Sequence, residues 1–310
     1  MKDKSSKPIN RFTEVNTWFR QLRDASNTEV IQAAMHKQAT FQSQLEDRQQ
    51  LDQEARKLLQ DGGLQFGALD KLETRENQLR NRFVKKVRPP LADAPLTDEQ
   101  RIRDRWFQSR INQPALQAAT LVGADTFSFA NGEGEPTTVW FDDTEKIDNL
   151  KNSMSGSGWG CFVKENPNYP DEMVTWWYLW VPPAEGSYWF WVVSAYAGFY
   201  IVKANDGYFN CKYAKAHAFT EVDVYQYFWH GQETRTIIDK RDDNINEAGR
   251  VSGSVHFNFS RSLGAGDVMA VKVTTTLDVY AQGSGSYAEL NFNDGEGNYL
   301  RAPLVFISKT

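Results

Sequence analysis

The sequence is poor in cysteine and histidine and has no apolar run long enough for a confident membrane span. Cys161 and Cys211 are its only cysteines in 310 residues, too few for a disulfide scaffold. With no CxxC pair they do not form a thiolate zinc site either. His36, His217, His230 and His256 are scattered, with neither HxH nor HExxH spacing, so no transition-metal centre is expected. The opening stretch MKDKSSKPIN lacks an apolar h-region. The expectation is synthesis in the cytoplasm, without a signal peptide, of a chain with reduced, structural thiols that is assembled into a particle or appendage. On the same ground the sequon Asn258-Phe259-Ser260 is expected to stay bare.

Catalytic signatures are missing too. GxxxxGK[ST], GxGxxG after a strand and GxSxG do not occur, which argues against P-loop phosphoryl transfer, dinucleotide redox chemistry and α/β-hydrolase chemistry. The 17 residues from Gly186 to Val202 carry no charge, close to the length of a membrane span. Aromatic and β-branched residues fill that run, and Ala195–Gly198 divides it into two strand-length pieces. It predicts a β-hairpin and no membrane role.

What is present is unevenly distributed. Residues 1–117 hold 21 Lys plus Arg against 16 Asp plus Glu, whereas residues 118–310 hold 14 against 24. Of the 21 glycines 18 lie in the second part, as do eight of the ten tryptophans. Such a break marks a domain boundary: a helical oligomerisation or docking region, then a β-sandwich head. The fold class expected is segregated α+β, with a coiled-coil-like helical hairpin ahead of an antiparallel, jelly-roll-like sandwich.

In the first part, Phe12, Val15, Trp18, Phe19 and Leu22 recur at helical spacing. Ser26 to Glu29 forms a capping-box pattern that predicts a new helix start, running to about Gln60 and stopped by Asp61-Gly62-Gly63. Leu69, Leu72, Leu79, Phe83 and Val87 make a second stripe ending at Pro89 and Pro90, and Thr97 with Gln100 opens a third helix. The stripes are narrow, which favours a coiled-coil seam against other copies of the chain over a self-sufficient core. The alternative is a hairpin packed on the chain's own β-region. Arg80, Arg82, Lys85, Lys86 and Arg88 form a basic run, but the net charge of −5 argues against nucleic acid as partner.

The second part alternates with period two. Val251, Val255, Phe257 and Phe259 face one way, with Ser252, Ser254, His256, Asn258 and Ser260 opposite. Met269, Val271, Val273, Leu277 and Val279 form another inward face, and Ala288, Leu290 and Phe292 return after a turn at 282–285. From 173 to 181 both faces are apolar or aromatic, so Trp176, Tyr178 and Trp180 need a cover and join Leu72, Leu79 and Phe83 as candidate assembly contacts. Glu221 and Asp223 share a strand face, which makes Glu221 a weak catalytic candidate. No further acid follows. Asp223, Tyr225, Tyr227 and Trp229 read instead as an aromatic platform with one acceptor, suited to a glycan or a protein receptor. No cofactor is expected. An EF-hand fails at Glu247 and Gly253, leaving calcium at an irregular loop there or at Asp294 and Glu296.

The best functional expectation is therefore a non-enzymatic structural or recognition protein that self-assembles and resembles virion or appendage components in architecture only. A carbohydrate-binding or glycan-active protein is the alternative. A β-type pore-former using the amphipathic strands after Val251 is a third.

Overall fold

The chain folds as two antiparallel six-stranded sheets packed face to face, with helices on their outer surfaces. The computed structural model describes residues 11–63, 65–111, 124–129, 137–141, 150–158, 171–182, 184–205, 211–226, 229–264, 267–301 and 303–309. Three helices, α1 (Arg11–Asp61), α2 (Phe66–Ala92) and α3 (Asp98–Ile111), precede twelve strands among these residues. The strands are β1 (Ala124–Phe129), β2 (Thr137–Phe141), β3 (Lys151–Ser155), β4 (Asp171–Trp180), β5 (Gly186–Asn205) and β6 (Tyr213–Gln226). They continue with β7 (Trp229–Asp242), β8 (Asn244–Leu263), β9 (Met269–Gln282), β10 (Tyr287–Asn291), β11 (Tyr299–Leu300) and β12 (Leu304–Lys309). Sheet I has the order β2-β1-β4-β9-β6-β7; in sheet II, β5 is flanked by β8 on one side and by β12, β11 and β10 in succession on the other, with β3 outside β10.

Period-two alternation places the core between the sheets. Val174, Trp176 and Tyr178 of β4, Val271, Val273 and Leu277 of β9, Phe190 and Val192 of β5 and Phe257 of β8 are all buried there. The expected inward faces of β8, β9 and β10 are thus met.

β5 differs from expectation. It is one continuous 20-residue strand, with no turn at Ala195–Gly198. Gly198 is there because β10 comes close: a Cβ would stand 2.6 Å from the Asn291 carbonyl oxygen and from the Phe292 ring. Its outer face is apolar because helical residues cover it. Phe199 and Ile201 pack beneath Phe83, Val84, Val87 and Leu91 of α2, and Val193, Ala195 and Ala197 lie beneath Leu96.

The helices differ in detail. α1 runs unbroken through 26–29, so the capping box there is unused. Thr28 donates its hydroxyl back to the Asp24 carbonyl at 2.7 Å, and buried Ser26 hydrogen-bonds Tyr225 of β6. The box before α3 is formed: Gln100 Oε1 accepts from the Thr97 N–H at 2.7 Å, and Thr97 Oγ1 accepts from the Gln100 N–H at 3.2 Å. α2 continues through Pro89 and Pro90, which fall in its last turn, and ends where the Asp93 N–H meets the Pro89 carbonyl. Cys211 is held in a disulfide, which overturns the expectation of a reduced thiol there; Cys161 lies outside the described residues.

Candidate functional site

The residues proposed for assembly separate into two groups. Trp176 and Tyr178 are buried between the chain's own sheets, and Trp180 packs edge-on against Tyr188 and Phe190. Phe83 is seated on β5. These four therefore have intramolecular cover; for Phe83 it is the chain's own β-region, as in the alternative reading of the helical region. Leu72 and Leu79, by contrast, are 45% and 52% exposed on α2, and Leu51 and Leu58 of α1 are 64% and 74% exposed. Each pair is seven residues apart, so each presents a heptad-spaced apolar edge to solvent.

α2 is fixed by polar contacts at residues 73–92. Glu76 pairs with Lys212 at 2.7 Å, and Arg80 donates to the Gly156 carbonyl at 3.2 Å. Arg88 reaches Glu289 at 2.9 Å and Asp294 at 3.4 Å, so two members of the basic run are spent on docking. The 293–298 loop, which carries the calcium candidates Asp294 and Glu296, receives the helix end. Gly295 (φ 89°) lies so near the Ala92 carbonyl that a Cβ would overlap it at 1.6 Å. Asp294, one of the calcium candidates, already faces Arg88, Lys151 (3.2 Å) and the Asn291 amide (2.8 Å); these partners hold its carboxyl below the usual range against the opposing effect of burial. At the other candidate loop, Asp242 accepts the Asn244 N–H at 2.9 Å in the tight passage from β7 to β8.

The aromatic platform is rearranged. Asp223 and Tyr225 share the outer face of sheet I, but the chain turns between β6 and β7, so parity does not carry across to Trp229. Trp229 pairs with Gln226 and packs toward the core beneath the Arg261 guanidinium, 3.2 Å above its ring. Tyr227 lies outside the described residues. His230 takes the vacated place: its ring stacks on Tyr225 at 4.6 Å and 7°, while Trp177 stacks nearby at 5.8 Å and 24°. Both neighbours are aromatic, so Tyr225 is not presented as an open stacking surface.

Asp223 is the centre of a charge-balanced cluster. One carboxylate oxygen is 2.7 Å from His230 Nε2 and the other 3.3 Å from Lys272 Nζ, with Asp223 and Lys272 both buried. Lys272 is the register partner of Asp223 on β9, and Trp177 follows on β4. Burial and then the Asp223 charge raise the Tyr225 hydroxyl above its ordinary range, opposed by the hydrogen bond from Ser26. A tyrosine so held stays protonated, and α1 caps the cluster through Ser26 and through Phe19, edge-on to Trp177 at 6.0 Å. Glu221 shares the sheet face but meets only the Thr234 hydroxyl at 3.4 Å among its described contacts.

A second polar group was not visible in the sequence. Arg88 of α2, Lys151, Asn152 and Ser153 of β3, Glu172 of β4 and Glu289 of β10 line a cavity of about 190 Å³. Glu289 is bound by Arg88, by the Tyr287 hydroxyl at 2.9 Å and by the Asn291 amide at 3.2 Å. Burial pushes the Glu172 carboxyl up to about 7, offset in part by the Lys151 backbone N–H and charge. Two carboxyls in such different surroundings are how acid–base pairs are built, but the volume is below the roughly 300 Å³ where ligand pockets begin. No sequence spacing links Glu172 to Glu289; only the pairing of β10 with β3, beside β4, brings them to one cavity.

No protein-family model matches the chain, and no curated protein matches it in sequence. Among solved structures, TmCBM61 in complex with β-1,4-galactotriose overlaps 52% of this chain and 90% of its own, with 7% identity and a TM-score of 0.17. A structure of CBM4 overlaps 42% and 70%, with 5% identity and a TM-score of 0.14. Both overlaps are too slight to carry an argument about fold or function.

Proposed function

We propose that the protein is a non-enzymatic structural or recognition protein that self-associates through its helical region and displays the β-sandwich as a head. The observation that carries the proposal is the pair of exposed, heptad-spaced leucine edges, Leu51/Leu58 on α1 and Leu72/Leu79 on α2. Together with Met35 and Leu59 they hold most of the large exposed apolar surface among the described residues, whereas the apolar face of α2 near β5 is already covered. A surface of this kind is buried by partner helices more readily than it is kept in water. The buried, paired state of Asp223 supports a structural role for the cluster around it, and the small cavity at Glu172 leaves little room for a substrate.

Sedimentation of the full chain tests the proposal. Oligomers are expected at micromolar concentration, and Leu58→Lys with Leu79→Lys should shift the mass to that of the 35.4 kDa monomer without loss of β-structure. A parent protein that stays monomeric at high micromolar concentration overturns it.

A further inference from the structure

Sheet II carries a second aromatic array at the N-terminal end of β5, on its outer face, where Trp189 is exposed. Trp189 and Trp191 lie two residues apart on β5, with ring centroids 6.1 Å apart and planes within 21°. His256 of β8 continues the ladder against Trp191 at 5.6 Å and 18°, and Phe306 of β12 flanks it at 5.2 Å. Trp189 ends the ladder and is 38% exposed. Cores do not need such a ring, since the inner face of this segment is already filled by Tyr188, Phe190 and Val192.

The surrounding positions define the ligand chemistry. The register places Ser260 opposite Trp189 and Asn258 opposite Trp191, both exposed. One pleat beyond Trp189, Ser187 and Ser262 face each other with their hydroxyls 3.1 Å apart. From Ser187 to Val193, the outward positions of β5 and their β8 partners include no acid, lysine or arginine. Burial lowers the affinity of His256 for a proton, so this ring too is neutral at physiological pH. An uncharged face gives no hold on phosphate, nucleic acid or an acidic peptide. Aromatic rings beside hydroxyl and amide groups match a molecule with apolar C–H faces and a rim of hydroxyls.

We propose that this face, with Trp189 as the stacking residue and Asn258, Ser260 and Ser262 as hydrogen-bonding groups, is a binding site for a neutral glycan. The site is distinct from the Asp223–Tyr225 group on sheet I and does not depend on self-association.

Affinity electrophoresis of the full chain through gels containing xyloglucan, galactomannan, mixed-linkage β-glucan or arabinogalactan tests the proposal. Retardation is expected in at least one gel. Trp189→Ala should weaken it at least tenfold and Asn258→Ala several-fold, while Trp229→Ala, on the other sheet, leaves it within twofold if the protein remains folded by circular dichroism. Trp189 is exposed enough for its truncation to spare the fold, and Trp189→Phe, which keeps an aromatic face, should retain most of the binding. The proposal is overturned if no neutral polymer retards the parent protein, if Trp189→Ala is retarded equally, or if Trp189→Ala alters only the oligomer mass.

Discussion

Glu172 concentrates several physical effects in one side chain. Its carboxyl is 8% exposed in a cavity shared with Glu289, and its folded affinity for a proton extends up to about pH 7, against an ordinary 4.5. An acid that holds its proton more tightly when folded favours folding most at low pH. That contribution declines as pH rises from about 4.5 to about 7 and is absent above it. Glu172→Gln keeps the neutral form at every pH. The variant should match the parent near pH 4.5 and exceed it by on the order of 2 kcal/mol at pH 8, measured by urea unfolding. Parallel stability curves for the two proteins would show that Glu172 ionises normally in the folded state. The Tyr287 hydroxyl, which donates to Glu289, is raised by burial and then by the Glu289 charge, so it remains a hydrogen-bond donor across this range.

At the scale of elements, the contacts that join helix to sheet are made by backbone as much as by side chains. Gly295 is the clearest case, since both its φ of 89° and its approach to Ala92 exclude a side chain. Gly295→Ala should cost well over 1 kcal/mol by denaturant unfolding, roughly the size of a turn-glycine effect plus the loss of helix docking. Gly67→Ala is the matched control: it lies in α2 with nothing within 4 Å of a new Cβ, so helix propensity should leave it neutral or up to about 1 kcal/mol more stable. Equal effects of the two substitutions would remove the docking role of the 293–298 loop. The same elements show which parts of the structure could be read from sequence. Alternation in β8, β9 and β10 and the Thr97–Gln100 box depend on neighbours along the chain, and both were legible. The Ser26–Glu29 box and the supposed break at Ala195–Gly198 were misread because distant partners decide them: Ser26 answers to Tyr225, and Gly198 to β10. The platform failed at its last member because the antiparallel register of β7 on β6 sets Trp229 opposite Gln226, on the other face, and His230 opposite Tyr225. The Glu172 cavity had no local signal at all.

At the scale of the whole molecule, the basic front and acidic back meet through specific pairs, including Arg88 with Glu289, Arg301 with Asp104 at 3.0 Å, and Glu76 with Lys212. The second and third of these reverse the overall signs, so the bulk charge imbalance alone does not set the docking. The disulfide at Cys211 adds a covalent constraint next to Lys212 and to the Gln282 amide, which donates to the Cys211 carbonyl at 3.0 Å. Thiol titration in denaturant without reductant should find no free thiol. Reduction should lower stability by about 2–4 kcal/mol, the usual size for a disulfide. Two titratable thiols in the purified, unreduced protein would contradict the bond.

β5 is paired along its whole length, and its partners are made at very different times. β8 follows within about sixty residues, but β12, which lines β5 from Tyr188 to Val193, begins only about a hundred residues after β5 ends. Until residues 304–309 emerge, that edge of an apolar strand has no partner from β12. Contacts this far apart in sequence close slowly, because a long loop must be ordered before they contribute. The growing chain therefore carries an open sheet edge until residues 304–309 emerge, and their pairing with β5 ends that interval of vulnerability to aggregation.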